Sequence, residues 1–67
     1  MKYDVFISYS SKDSGVAFDV CAMLEAAGLT CWIAPRNVYG GKSYAREIIE
    51  AITESQIVLF IFSSYSN

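Results

Sequence analysis

The sequence predicts an α/β fold built on a parallel sheet, and three observations carry that expectation. Apolar runs rich in β-branched and aromatic residues recur over residues 2–8, 29–34 and 56–63. Between them lie two stretches whose apolar residues return at three- and four-residue spacing, and strands alternating with helical patterns read as βαβ units. The last run, Ile57-Val58-Leu59-Phe60-Ile61-Phe62, is apolar without alternation, as expected of a strand covered on both faces of a parallel sheet.

Tyr3, Val5, Phe6 and Ile7 give the first strand its β propensity. It stops at the small polar residues Ser8, Ser10, Ser11, Asp13 and Ser14, several of which offer N-cap oxygens. Ligands of α/β domains collect beyond the carboxyl ends of the strands, so residues 8–14 are the first place to look for a site. Val16, Ala17, Val20, Cys21, Leu24 and Ala27 then mark a helix of about four turns that Gly28 stops from its C′ position. Phe18 and Met23 lie off that stripe, which suggests a helix covered on two sides.

Pro35 ends the second strand. Residues 35–42 read as a loop from their Pro, Asn and Gly-Gly content, and Ser43 is placed to cap a second helix. Tyr44, Ile48, Ala51, Ile52 and Ser55 line one face of that helix, while Arg46 and Glu50 stand i,i+4 on the other. Right-handed crossovers put the first strand in the middle, giving the order 2-1-3 that begins a flavodoxin-like sheet. Helices then cover both faces. Phe6, Phe18, Trp32, Phe60 and Phe62 are expected in the core. The third strand becomes an open apolar edge, implying either further strands beyond Asn67 or pairing through that edge.

Sixty-seven residues make one domain at most, with a marginal core. A hydrophobic content of 54% exceeds the usual share and suggests surfaces that something else covers. With five basic residues and a net charge of −2, the chain lacks the basic stripe that nucleic acid requires. Histidine is absent, which removes Ser-His and Cys-His nucleophilic pairs and most transition-metal sites. Cys21 and Cys31, ten apart, read as two buried thiols of a reduced cytoplasm rather than a disulfide or zinc ligands. The longest apolar run is far short of the about 20 residues a bilayer demands, and no secretory signal follows Met1. A cytoplasmic protein is therefore expected, with no membrane partner.

Gly41-Lys42-Ser43 looks like the tail of a phosphate-binding loop. Arg36 occupies the position where that loop needs its first glycine, so a simple turn is the better reading. Glu50 and Glu54 read as a solvated helix face. Glu47 differs, because it sits in the first turn, where the helix dipole stabilises an anion at the ligand end of the sheet. Tyr9, Tyr39 and Tyr44 lie in segments at that same end and could stack on a flat ring, or simply decorate the surface.

Together these residues resemble a bacterial TIR (Toll/interleukin-1 receptor) domain. The resemblance rests on Tyr3-Asp4-Val5-Phe6-Ile7-Ser8-Tyr9-Ser10, Asp13, Leu24-Glu25-Ala26-Ala27-Gly28-Leu29, Trp32-Ile33-Ala34-Pro35-Arg36-Asn37-Val38, Gly41, Ile48, Ala51-Ile52, Ser55 and Val58-Leu59-Phe60-Ile61-Phe62-Ser63. It covers nearly the whole of residues 1–67, which would correspond to the first three strands and two helices of a five-stranded fold. Two activities are implied by the resemblance. The first is cleavage of NAD+ at the nicotinamide-ribose bond, by hydrolysis or cyclisation, in bacterial immune signalling or virulence. Here Glu47 would be the catalytic carboxylate, and Phe6, Ser8, Tyr9, Ser10, Trp32, Arg36, Lys42 and Tyr44 would bind substrate. NAD+ would then be the substrate, with no cofactor or metal needed. The second is assembly with other TIR domains through the BB loop, represented here by Pro35, Asn37, Val38, Tyr39, Gly40 and Gly41.

Overall fold

A computed structural model of the chain describes residues 1–38 and 43–63. The first strand, β1 (Tyr3–Tyr9), leads through a short 3-10 turn (Ser11–Asp13) into α1 (Ser14–Ala26). Then come β2 (Cys31–Ile33), α2 (Tyr44–Thr53) and β3 (Ser55–Ile61). All pairing is parallel and the sheet order is β2-β1-β3, so the expected flavodoxin-like topology is present. Register is set by Phe6 opposite Trp32 on one side of β1 and opposite Val58 on the other.

Alternation along β1 sorts its side chains between two layers. Val5 and Ile7 join Ala17 and Cys21 of α1 and Cys31 and Ile33 of β2 in one buried cluster. Phe6 points to the opposite face, where it meets Trp32 and Ala51 of α2. The Phe6 and Trp32 rings stack with centroids 4.8 Å apart and planes within 7°. α1 can lie close on its face because small residues, Ala17 and Cys21, form its contact line.

Local signals explain how the elements end. Gly28 has φ 94°, a left-handed conformation that its missing Cβ permits, and it closes α1 as expected. Ser43 caps α2 by accepting a hydrogen bond from the Arg46 amide at 3.2 Å. Asp4 reaches across to accept from the Thr30 amide at 2.8 Å, which fixes where β2 enters the sheet.

Several expectations about burial require correction. On α1, Val16 and Ala27 are exposed, and the contact stripe narrows to Ala17 and Cys21 with Val20 and Leu24 half-buried. Met23 is exposed, so α1 is covered on one side only. β3 is not covered on both faces: Ile57, Phe60 and Phe62 are 58%, 65% and 57% exposed. α1 lies over β2 and β1 while α2 reaches β1 and β3, and neither helix covers Ile57, Phe60 or Phe62. Phe60 and Phe62 therefore stack on each other instead of entering a core, with centroids 6.0 Å apart. Phe18 is also partly exposed and meets Tyr9 edge-on. β2 is shorter than the expected 29–34, because the chain turns at Ala34 ahead of Pro35.

Candidate functional site

The carboxyl end of the sheet opens into a cleft of about 360 Å³ on the α2 face. Phe6 and Trp32 make its floor, Ser8, Tyr9 and Ser11 its β1 side, and Tyr44 and Ile48 its α2 side, while Val58 and Phe60 form the wall toward β3. Parallel strands place the ends of β1 and β2 beside the start of α2, since each crossover helix runs back along the sheet.

The rim beside β1 is latched. Asp13 is buried, and its Oδ2 accepts hydrogen bonds from Ser10 Oγ at 2.7 Å and from the Ser63 amide at 2.9 Å. One carboxylate thus ties the loop after β1 to the end of β3. These bonds, the one from Ser10 foremost, hold its pKa below the ordinary 3.8 against the opposing effect of desolvation. No side-chain cap is made by this aspartate at the start of α1, although the sequence offers it as one.

Glu47 lies in the first turn of α2 and is buried, only 8% exposed. It lines a smaller recess of about 70 Å³ with Trp32, Asn37, Glu50, Ala51, Glu54, Lys2 and Tyr3. Trp32 lines both hollows, whereas Glu47 lines the smaller one and not the large cleft. Phe6, Ser8, Tyr9, Trp32 and Tyr44 are accordingly gathered around one space, with Glu47 in the neighbouring recess. Ser10 is engaged with Asp13 and does not line the cleft.

The turn after β2 is organised by its own polar groups. Asn37 Oδ1 accepts from the Ile33 amide at 3.1 Å and from Arg36 Nε at 2.9 Å, while its own amide returns to the Ile33 carbonyl. Arg36 points to the α1 side of the sheet, where two of its nitrogens bind Glu25 at 3.0 and 2.7 Å. A further bond runs to the Cys31 carbonyl at 3.2 Å. This guanidinium holds the Glu25 carboxyl below its ordinary range, and Glu25 in turn raises the pKa of Arg36. Arg36 thus sits apart from the cleft. Val38 is half-buried against the Phe6-Trp32 cluster, and Pro35 is exposed. Lys42, Tyr39, Gly40 and Gly41 lie outside the described residues.

A parallel α/β layer with a polar-rimmed cleft at the switch between β1 and its neighbours places the chain in the doubly wound class. The model of the TIR domain family matches residues 5–67, and the chain belongs to that family. Comparison with curated proteins and with solved structures found no match. No helix among the described residues is long and apolar enough to cross a membrane.

Proposed function

We propose that this TIR domain cleaves NAD+ at the nicotinamide-ribose bond, with Glu47 as the essential carboxylate. The observation that carries the reading is the burial of an acidic side chain at the ligand end of α2, beside an aromatic-floored cleft. Glutamate is rarely buried for packing alone, and a carboxylate withdrawn from water next to a pocket is a mark of function. The nicotinamide of NAD+ is already cationic and departs neutral, so little acid catalysis is needed. Positive charge instead accumulates on the ribose as the bond breaks, and a nearby carboxylate stabilises it. Phe6, Trp32 and Tyr44 supply flat apolar surface for the base or nicotinamide, and Ser8 supplies a hydroxyl for the ribose.

Trp32 must shift for Glu47 to face a ribose in the large cleft. The side chain is held by stacking on Phe6 and by Val38 of the following turn, so movement of residues 35–38 would govern access. This couples catalysis to whatever binds that turn, including another TIR domain. The exposed, mutually stacked Phe60 and Phe62 favour self-association as the trigger. The role in bacterial immune signalling and the cytoplasmic location belong to the same proposal.

Incubating the protein with NAD+ over a wide range of protein concentrations, and following nicotinamide by chromatography, tests it. Release should rise more steeply than linearly with concentration and fall at least about 100-fold in Glu47→Gln, the scale of a lost electrostatic stabiliser. Equal release by Glu47→Gln would overturn the assignment. Absence of release at every concentration, with assembly intact, would leave the domain an interaction module.

A further inference from the structure

Away from the cleft, on the α1 face, the structure brings together three groups that the sequence keeps apart. We infer that Cys21, Cys31 and Glu25 form a binding site for a thiophilic divalent cation of the zinc class. Cys21 and Glu25 are one turn apart on α1 and so share a helix stripe, and Cys31 opens β2 directly beneath it. Their sulfur and oxygen atoms all lie within 4.8 Å of one another. Two thiolates bound at about 2.3 Å to one tetrahedral zinc lie about 3.8 Å apart, so side-chain rotations that bring the sulfurs closer by up to about 1 Å close the site.

The chemistry of the surroundings agrees. Both cysteines are free and buried, at 1% and 2% exposure, while Glu25 is exposed and gives the ion a route in from solvent. On binding, each thiol gives its proton to water and each sulfur forms a bond to the metal. Two thiolates and the Glu25 carboxylate then balance one divalent cation and the Arg36 guanidinium, leaving no net charge in the layer. One Glu25 oxygen can turn to the metal while the other keeps its bond to Arg36, which holds the carboxylate in place. Water completes the fourth position.

Cobalt(II), a spectroscopic stand-in for zinc, probes this site directly. Titrating it into the reduced protein under a non-thiol reductant should give sulfur-to-metal charge-transfer absorption that saturates at one equivalent and is abolished by zinc. Zinc should also raise Tm relative to EDTA, because an ion held by the folded state stabilises it. Cys31→Ala and Cys21→Ala should each weaken binding at least about 100-fold. Glu25→Gln, an exposed change that leaves the core intact, should weaken it about 10-fold, within the range for altered ligand surroundings. No charge-transfer band at millimolar cobalt would overturn the inference, as would a zinc-induced fall in Tm, which marks binding to unfolded chain. Unchanged affinity in Glu25→Gln would overturn the three-ligand site.

Discussion

β2 and β3 flank the same central strand, yet they are held in opposite ways. β2 has three residues, Cys31, Trp32 and Ile33, exposed by only 2%, 3% and 0%. β3 has seven residues, is more apolar, and pairs with β1 from Tyr3 opposite Ser55 to Tyr9 opposite Ile61, but leaves Ile57 and Phe60 largely in solvent. The short strand is fixed by side chains clamped between α1 and α2, and the long one chiefly by its backbone ladder. Burial in this layer follows the position of the helices rather than the hydrophobicity of the strand.

The largest effect that separates them is loss of a core side chain. Ile33→Ala should destabilise the fold by about 2–5 kcal/mol, the range for emptying a closed site. Phe60→Ala, removing more atoms, should stay within about 0.5 kcal/mol, as exposed substitutions do. Urea unfolding of the two variants measures both, and equal losses would mean that β3 is covered in solution. In that case dilution should erase the Phe60→Ala loss, since a second copy would be the cover.

A smaller effect concerns the latch that holds the far end of β3. Asp13 accepts from Ser10 and from Ser63, and its folded pKa is depressed. The stability it contributes is therefore complete above the unfolded value, about 3.9, and is lost as pH falls through the lower folded value. Asp13→Asn should be less stable than the parent at neutral pH, and the two stability curves should converge in acid. Hydrogen exchange at Ser63 should quicken in the variant while Ile7 remains protected. A parallel offset at all pH values would remove the carboxylate charge from the account.

These contrasts also mark what could be read from sequence. Strand order, parallel pairing, the Gly28 stop and the Ser43 cap were legible because each depends on local chemistry: period, φ, or one hydroxyl. The burial of Phe18, Phe60 and Phe62 was not, since it depends on where two helices end over the sheet, and no window along the chain contains that distance. Glu47 was legible as a first-turn acid at the ligand end. Its seat in a recess lined by Trp32 and Asn37 depends on the turn at Asn37, whose bonds to Ile33 and Arg36 arise only once β2 has ended. Asp13 was legible as an N-cap oxygen, while its carboxylate instead accepts from Ser10 and from Ser63, the second partner lying 50 residues away. The meeting of Cys21 and Cys31 likewise follows from α1 lying across β2, and their spacing alone argued against it.

The smallest effect tests whether the β2 edge needs its surface clamp. Arg36 and Glu25 make a two-pronged ion pair across the edge, but their side chains are 40% and 38% exposed. Such a pair offers little net stabilisation, because water solvates both charges well and holding two long side chains in one geometry costs entropy. A double-mutant cycle with Arg36→Ala and Glu25→Ala should return a coupling of about 0.2–1 kcal/mol, decreasing as salt is raised. The same cycle should leave Ile33 protection unchanged, since the strand is held on one face by Ala17 and Cys21 of α1 and on the other by Phe6 and Ala51 against Trp32. A coupling that stayed large in molar salt would shift the clamp of β2 from its buried faces to its edge. The two flanking strands would then both depend on what borders the sheet, and the distinction between them would narrow to which border is already occupied.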